Sequence, residues 1–331
     1  MKPNATLKQL SETLEMSIST VSRALKNHPD ISEATKQKVW DLANMLEYEP
    51  NTNAINLRTN NSKLFGLIVP VISNYFYDSL IASLEEETRL HGYSLLILQS
   101  GDDSIVELNN LKLCKQNRVA GIFVSVTIGT KDIAPFLKLA DNDIPVIFLD
   151  KVPTQENCNK ICVGDAEAAT LAAKALIEKN KKSVLAFFGN KNMSISQERL
   201  EAFAHYFKVN APRVKLQIEE AINPSEAYNK TLNSWKQADA PDAIFCMSDE
   251  ILTGVMKAMQ QLKLQIPSEV GIIAISNGFI PKLYFPEITY VETSGHKLGK
   301  LAYTRMVSCL AGSGFTLNLK VESLLVEGGS L

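Results

Sequence analysis

The sequence has no run approaching the ~18–20 consecutive apolar residues that a membrane-crossing helix needs. Its opening residues, Met1-Lys2-Pro3-Asn4-Ala5-Thr6, lack the apolar core of a signal peptide, so the expected location is cytoplasmic and no membrane partner is expected. Cysteine is sparse and odd in number: Cys114, Cys158, Cys162, Cys246 and Cys309 are scattered. Cys158 and Cys162 have neither CxxC spacing nor a histidine nearby, which argues against zinc and for reduced thiols. The histidines (His28, His91, His205, His296) stand apart, and none adjoins a recognisable acid or nucleophile. His91 before Gly92 reads as a helix C-terminus. Asp249-Glu250 reads as the acidic start of a helix that complements its dipole, rather than as a paired-acid site. GxGxxG, GxxxxGKS/T, HExxH and GxSxG are all missing. No enzyme activity, metal or cofactor is therefore expected. The net charge of −2 excludes a protein that coats nucleic acid non-specifically. Any recognition of DNA must be local.

What is present begins with a compact helical segment. At 331 residues and 45% hydrophobic content, the chain has room for two or three domains with real cores. Thr6 with Gln9 three residues on forms a capping box, and Leu7, Leu10 and Leu14 share one apolar face. A break at Glu15-Met16 leads to Ser17, the cap of a second helix. There Val21 and Leu25 point inward, and Ser19, Thr20, Ser22 and Arg23 point outward. Asn27-His28-Pro29-Asp30 ends that helix. Ser32 caps a third, with Glu33 in its first turn and Val39, Leu42, Ala43 and Leu46 facing inward. Taken alone, Ser17–Lys26 reads as a capped, solvent-facing amphipathic helix. Between its two neighbours it completes a helix-turn-helix unit. Hydroxyls suit phosphate oxygens or base edges, and a guanidinium fork suits the guanine edge.

A basic excess is missing here. Across residues 1–60, Lys2, Lys8, Arg23, Lys26, Lys36, Lys38 and Arg58 are matched in number by Glu12, Glu15, Asp30, Glu33, Asp41, Glu47 and Glu49. Hydroxyls and helix N-termini must then carry more of any phosphate binding, and its salt dependence should be modest. The segment Asn51–Arg58 can be capped by Asn51 but has poor helix propensity, so a partner must order it. Leu57 within it is either a stray linker leucine or a wedge for a base step.

From Lys63 onward apolar runs alternate with helical spacing. The strands expected are 64–69, 93–99, 121–126, 145–149, 161–163, 184–188, 243–246 and 271–276. The helices expected between them include 78–90, 108–117, 166–178, 197–206, 228–237 and 250–263. Repeated units of this kind imply right-handed crossovers and doubly wound sheets, with ligands at the carboxyl ends of the strands. The tail Glu322–Leu331 reads as a strand and a flexible stop without a leucine heptad, so no coiled-coil tetramer is expected.

Thr20-Val21-Ser22-Arg23-Ala24-Leu25, Ile31-Ser32, Tyr48-Glu49-Pro50-Asn51 and Ala54…Leu57-Arg58 resemble the DNA-binding head and hinge of lactose-repressor-type regulators, the LacI/GalR family. Gly66–Phe76, Arg118–Ile122, Ile144–Ile147, Gln197–Phe203, Ala243–Asp249 and Ile266–Gly271 extend the resemblance along the core. It implies a small all-α helix-turn-helix head on an α/β periplasmic-binding-protein-like core of two doubly wound parallel-sheet lobes. The expected bounds are 1–48 for the head, 49–62 for hinge helix and linker, and 63–331 for the effector-binding and dimerisation core. Within that core, one lobe takes about 63–160 plus 292–321 and the other about 161–291 plus 322–331. The implied function is that of a homodimeric, sequence-specific transcriptional regulator, in the first instance a repressor. Its partners would be palindromic double-stranded operator DNA and a small-molecule effector, a sugar or other metabolite.

The resemblance also assigns residues. Ile18, Ser19 and Arg23 would read bases, and Thr6, Ser17, Thr20, Ser22, Ser32 and Asn51 would hold phosphates, with Leu7 beside them. Ala54, Leu57 and Arg58 would enter the minor groove as a hinge helix paired with its symmetry mate. The effector positions would be Asn74, Tyr75, Phe76, Thr127, Asp150, Lys151, Arg199, Ile222, Asn223, Ser248 and Ser276. Phe76 also fits simple packing. Arg199 fits either a bidentate clamp or an ion pair with Glu198 or Glu201. Departures accompany the match. Lys26 replaces a usual asparagine, Ser276 an aspartate, Met193 an arginine and Ile222 a stacking aromatic. The pocket is therefore expected to be less charged and less aromatic than a usual sugar cleft. Leu57→Ala should weaken operator binding in a gel shift while leaving the dimer intact by sedimentation and ligand affinity unchanged. Loss of the dimer would instead put Leu57 in a protein interface.

Overall fold

The structure, a computed structural model, describes residues 5–49, 62–139, 142–236 and 239–331. Asn51, Ala54, Leu57 and Arg58 lie outside them. The chain divides into two units, Met1–Ser62 and Lys63–Leu331.

The first unit holds α1 (Leu7–Thr13), α2 (Ile18–Leu25) and α3 (Glu33–Met45). Each begins where a side-chain oxygen takes an orphan N–H of the first turn. Thr6 Oγ1 accepts the Gln9 N–H at 3.2 Å while Gln9 Oε1 accepts the Thr6 N–H at 3.1 Å. Ser17 Oγ accepts from Thr20 N–H at 3.1 Å, and Ser32 Oγ from Thr35 N–H at 3.3 Å. Leu10, Val21, Ala24, Val39 and Ala43 are buried at the centre, with Leu7, Leu14, Leu25 and Leu42 packed around them. Leu46 departs from expectation: α3 ends at Met45, so Leu46 falls past the last turn and is 40% exposed. Lys36 turns inward instead. Its stem is buried and its ammonium reaches Glu33 at 2.6 Å.

The second unit contains two six-stranded sheets of matching order. The first is built from β1 (Leu64–Val69), β2 (Ser94–Gln99), β3 (Gly121–Val124), β4 (Val146–Leu149), β5 (Asn159–Val163) and β11 (Asn318–Val321), ordered β11-β5-β4-β3-β1-β2 and wholly parallel. The second has β6 (Ser183–Phe188), β7 (Lys215–Glu220), β8 (Ala243–Cys246), β9 (Gly271–Ser276), β10 (Thr289–Glu292) and β12 (Leu324–Val326), ordered β12-β10-β9-β8-β6-β7. Only β12 runs antiparallel to its neighbour. The central strands are buried along their length, because helices cover both faces. In each sheet the strand order reverses beside the first strand of the set, β1 or β6, which opens a crevice at the carboxyl ends.

The helices are α4 (Tyr75–Leu90), α5 (Ser104–Gln116), α6 (Ala134–Leu137), α7 (Asp165–Glu178), α8 (Ser194–Asn210), α9 (Pro224–Ser234), α10 (Asp249–Leu262) and α11 (Gly295–Leu310). The strand Lys215–Glu220 was not anticipated; it is a sheet edge whose polar residues give no continuous apolar run. The chain changes sheet after Val163, after Glu292 and after Val321. The first crossing falls three residues later than the expected 160, because Asn159–Val163 pairs with β4 and β11. The C-terminal residues are also not a flexible stop. Ser330 is fully buried, its hydroxyl donating to Ile272 O at 2.6 Å and accepting the Thr289 N–H at 2.7 Å.

Helix α11, the returning segment, lies on α4 through two glycines one turn apart. A Cβ at Gly295 would stand 2.5 Å from the Phe76 carbonyl, and one at Gly299 2.8 Å from Ser83 Cβ. This close approach seats the start of α4, which carries Asn74 to Tyr77 at the crevice. Gly295→Ala should therefore force α11 off α4 and cost about 1–3 kcal/mol in urea unfolding. A change under about 0.5 kcal/mol would show that the two helices have slack there.

Candidate functional site

On the head, the outer side of α2 presents Ile18 at 49% exposure, Ser19 and Arg23 exposed, and Thr20 and Ser22 half-buried. The Ser17 hydroxyl lies 2.8 Å from those of both Ser19 and Thr20, so three hydroxyls form one cluster at the helix start. The Ile18 and Ser19 N–H groups have no partner among the described residues, and with the helix dipole they suit an anion. Ser32 repeats the arrangement with Thr35 at 2.8 Å. Thr6 is committed to its capping box, and Leu7 is half-buried against the core. Charge is thinner than the sequence count suggests. Lys36 is held on Glu33 and Lys8 lies 3.8 Å from Glu12, leaving Arg23, Lys26 and Lys38 exposed and outside any ion pair among the described residues.

In the core, a cavity of about 260 Å³ opens between the two sheets at their carboxyl ends. Asn74, Phe76, Asp150, Lys151, Arg199, Ser248 and Ser276 all lie on its wall, as does Met193. Asn74 does two things: its Oδ1 caps α4 by accepting the Phe76 and Tyr77 N–H groups, and its Nδ2 donates across the crevice to Glu250 Oε1 at 2.8 Å. A second bridge runs from Asn277 Nδ2 to the Tyr75 carbonyl at 2.6 Å. Tyr75 contributes that carbonyl while its ring is exposed and outside the cavity wall. Thr127 lines an adjoining hollow of about 360 Å³ that shares Lys151 and Met193 with the first. Its N–H donates to buried Glu107 at 2.8 Å. Ile222 is 58% exposed and Asn223 caps α9 through the Glu226 N–H, so neither reaches this wall.

Arg199 makes an ion pair other than the one expected. It sits in the second turn of α8 rather than at its start, and its partner is neither Glu198 nor Glu201. Nε and Nη2 both lie 2.7 Å from Asp165 Oδ1, and Nη1 donates to Met247 O at 2.7 Å. Both members of the pair are buried, so the guanidinium is a fixed part of the cavity floor. Of its five N–H groups, two remain for a ligand.

The cavity wall carries more charge than Ser276 and Met193 by themselves suggest. Ser276 carries no charge, but its hydroxyl donates to Asp249 Oδ1 at 2.5 Å, and Asp249 and Glu250 both line the cavity beside Asp102 and Asp150. Asp249 and Glu250 do open α10 as expected, yet they also face the site. Tyr77, which carries no assignment from the sequence, stands beside Asp150 and donates to its Oδ2 at 2.6 Å. The sequence reading takes Asp249 and Glu250 only as a helix start and does not weigh Tyr77 or Asn277, although Asp249, Tyr77 and Asn277 each directly follow a named position: Ser248, Phe76 and Ser276.

Burial pushes the Asp150 carboxyl up to about 6, against the opposing pull of the Tyr77 hydrogen bond. Burial likewise pushes Asp249 up to about 6, with the Ser276 hydroxyl opposing. The Tyr77 phenol is driven well above its usual range by burial and then by the neighbouring Asp150 charge.

A family model described as periplasmic binding proteins and sugar binding domain of the LacI family matches residues 62–311. A second, bacterial regulatory proteins of the lacI family, matches residues 6–51. The HTH-type transcriptional repressor PurR of Actinobacillus pleuropneumoniae serotype 3 (strain JL03) is 27% identical over 297 residues, covering 89% of this chain and 88% of its own. The structure of the Lac repressor dimer bound to operator and the anti-inducer ONPF aligns with a TM-score of 0.86 at 19% identity over 98% of both chains. A periplasmic binding protein/LacI transcriptional regulator from Alkaliphilus metalliredigens QYMF, complexed with D-xylulofuranose, is 26% identical with a TM-score of 0.70, covering 81% of this chain and 99% of its own.

A carboxyl whose folded pKa lies above its unfolded value binds its proton more tightly when folded. Its contribution is complete below the unfolded pKa near 3.8 and is lost as pH rises through about 6. Between pH ~5 and ~7.5, wild type should therefore lose about 1 kcal/mol of unfolding free energy relative to Asp150→Asn. Urea unfolding at both pH values checks this, and a gap that is constant or of opposite sign contradicts it.

Proposed function

The chain belongs to the LacI family of bacterial regulatory proteins, and from that membership we propose that it is a transcriptional repressor, binding a palindromic operator as a homodimer under the control of a small molecule held between its core lobes. That it is a DNA-binding regulator follows from the family; the repressor role, the dimer, the operator symmetry and the cavity ligand are our reading. The observation that carries it is the outer face of α2, where one exposed arginine, exposed Ile18 and a hydroxyl cluster stand on a rigid, capped helix. Such a helix can place its N-terminal residues against base edges while hydroxyls and backbone N–H groups fix phosphates.

The core supplies the control element. The starts of α4 and α10 belong to different lobes and meet through Asn74 and Glu250. A ligand in the cavity competes for, or reinforces, these bridges and so biases lobe closure. The effector class is a small hydroxylated metabolite, as with the xylulofuranose bound by the relative from Alkaliphilus metalliredigens. The hinge positions Ala54, Leu57 and Arg58 keep the minor-groove role, and Asn51 the phosphate role, that the resemblance implies.

Selection from random-sequence duplexes with the full chain should enrich a two-fold symmetric site. On that site, Arg23→Ala should lose about 1–3 kcal/mol of binding and relax preference at one base pair per half-site. Failure to enrich any sequence at moderate salt overturns the function. Equal loss on every sequence would reduce Arg23 to a phosphate contact.

A further inference from the structure

Charge on the cavity wall narrows the class of effector; this inference rests on reading the cavity as the effector site. Two cations line it, and both are already held on carboxylates: Arg199 on Asp165 at 2.7 Å and Lys151 on Asp102 at 3.1 Å. Three more wall carboxylates, Asp150, Asp249 and Glu250, form no ion pair among the described residues. Their hydrogen bonds come from neutral donors. Tyr77 serves Asp150 at 2.6 Å, Ser276 and the Asn277 N–H serve Asp249 at 2.5 and 3.3 Å, and Asn74 serves Glu250 at 2.8 Å.

Two acceptors are left over. Asp150 is nine-tenths buried, and its Oδ1 receives no hydrogen bond among the described residues although the residue forms part of the wall. Glu250 Oε2 is likewise unpartnered among them. The two carboxylates come from opposite lobes. Like charges gathered in a hollow of low dielectric repel one another, and a neutral sugar fills hydrogen bonds without offsetting that repulsion. A protonated amine does both. The half-buried Phe76 ring on the same wall offers a face to a cation or to the apolar side of a sugar ring. The volume of about 260 Å³ lies below the ~300–1,000 Å³ usual for drug-sized ligands, so the occupant is compact.

We propose that the effector is an amino sugar or a closely related aminated polyol, its ammonium taken by Asp150 and Glu250 and its hydroxyls by Asp249, Ser248 and the free N–H groups of Arg199. Neutral hexoses and anionic metabolites are disfavoured for the same reason, since each leaves three carboxylates without a counter-charge.

The test is isothermal titration of the full chain at neutral pH with glucosamine, galactosamine and mannosamine, each against its parent hexose and its N-acetyl form. At least one amine should bind about tenfold or more tightly than both neutral counterparts. That ratio should fall toward one in Asp150→Asn, which keeps the size and an acceptor for Tyr77, and in Glu250→Gln as an independent second variant. Circular dichroism and unliganded melting confirm that each variant folds. Neutral forms binding as tightly as amines, no amine binding at millimolar concentration, or an amine preference unchanged in both variants overturns the proposal. If a neutral or anionic molecule instead shifts melting and operator binding, the cavity keeps its effector role and only the charge assignment falls. If no molecule of any charge acts through the cavity, the effector reading falls with it.

Discussion

The buried Arg199–Asp165 pair is the constraint on which the core's site depends. Two charges withdrawn from water are tolerated only when well paired, and loss of either partner leaves a stranded ion that costs about 3–5 kcal/mol. Here the pair also ties three elements together. Asp165 is the first residue of α7, Arg199 lies in α8, and the third bond runs to Met247 just past β8. The floor of the cavity is thereby fixed from three directions. Because the guanidinium is satisfied by its own chain, it offsets little of the charge on Asp150, Asp249 and Glu250. The acidity of the wall is thus a consequence of how its main cation is held.

The same logic of satisfied groups shapes the head. Its hydroxyls cap their own helices first and face outward second, and Ser17 serves both ends at once. Lys36 spends its charge on Glu33 within the unit. What remains for a partner is one arginine, two lysines, the hydroxyl clusters and the bare N–H groups of helix starts. A surface of this kind grips by hydrogen-bond geometry more than by net charge, which favours reading sequence over coating a polyanion.

Local signals made much of this legible. Caps at Thr6, Ser17 and Ser32, the apolar spacing of Leu10, Val21 and Val39, and the buried runs at β1 and β8 all act over a few residues, so the chain alone displays them. Departures arose where a distant partner decides. Arg199 is claimed by a carboxylate 34 residues away, which no spacing rule finds. Leu46 left the core because α3 ends at Met45, one residue before the apolar periodicity would have used it. Ser330 looked like a loose end until Thr289 and Ile272 supplied its partners. Asp249 was readable as a helix start, and its second role needed β8 and β9 side by side.

The central claim is that this regulator recognises DNA through base edges and hydroxyls with few cationic contacts. It is tested most directly by the salt dependence of binding to its preferred site and to an unrelated duplex. With three unpaired cations on each described head and two heads in the proposed dimer, the account predicts a log–log slope shallower than about −6. A preference of at least about a thousandfold for the chosen site should persist across the titration. A slope steeper than about −10, with the two duplexes converging in affinity as salt rises, would contradict it.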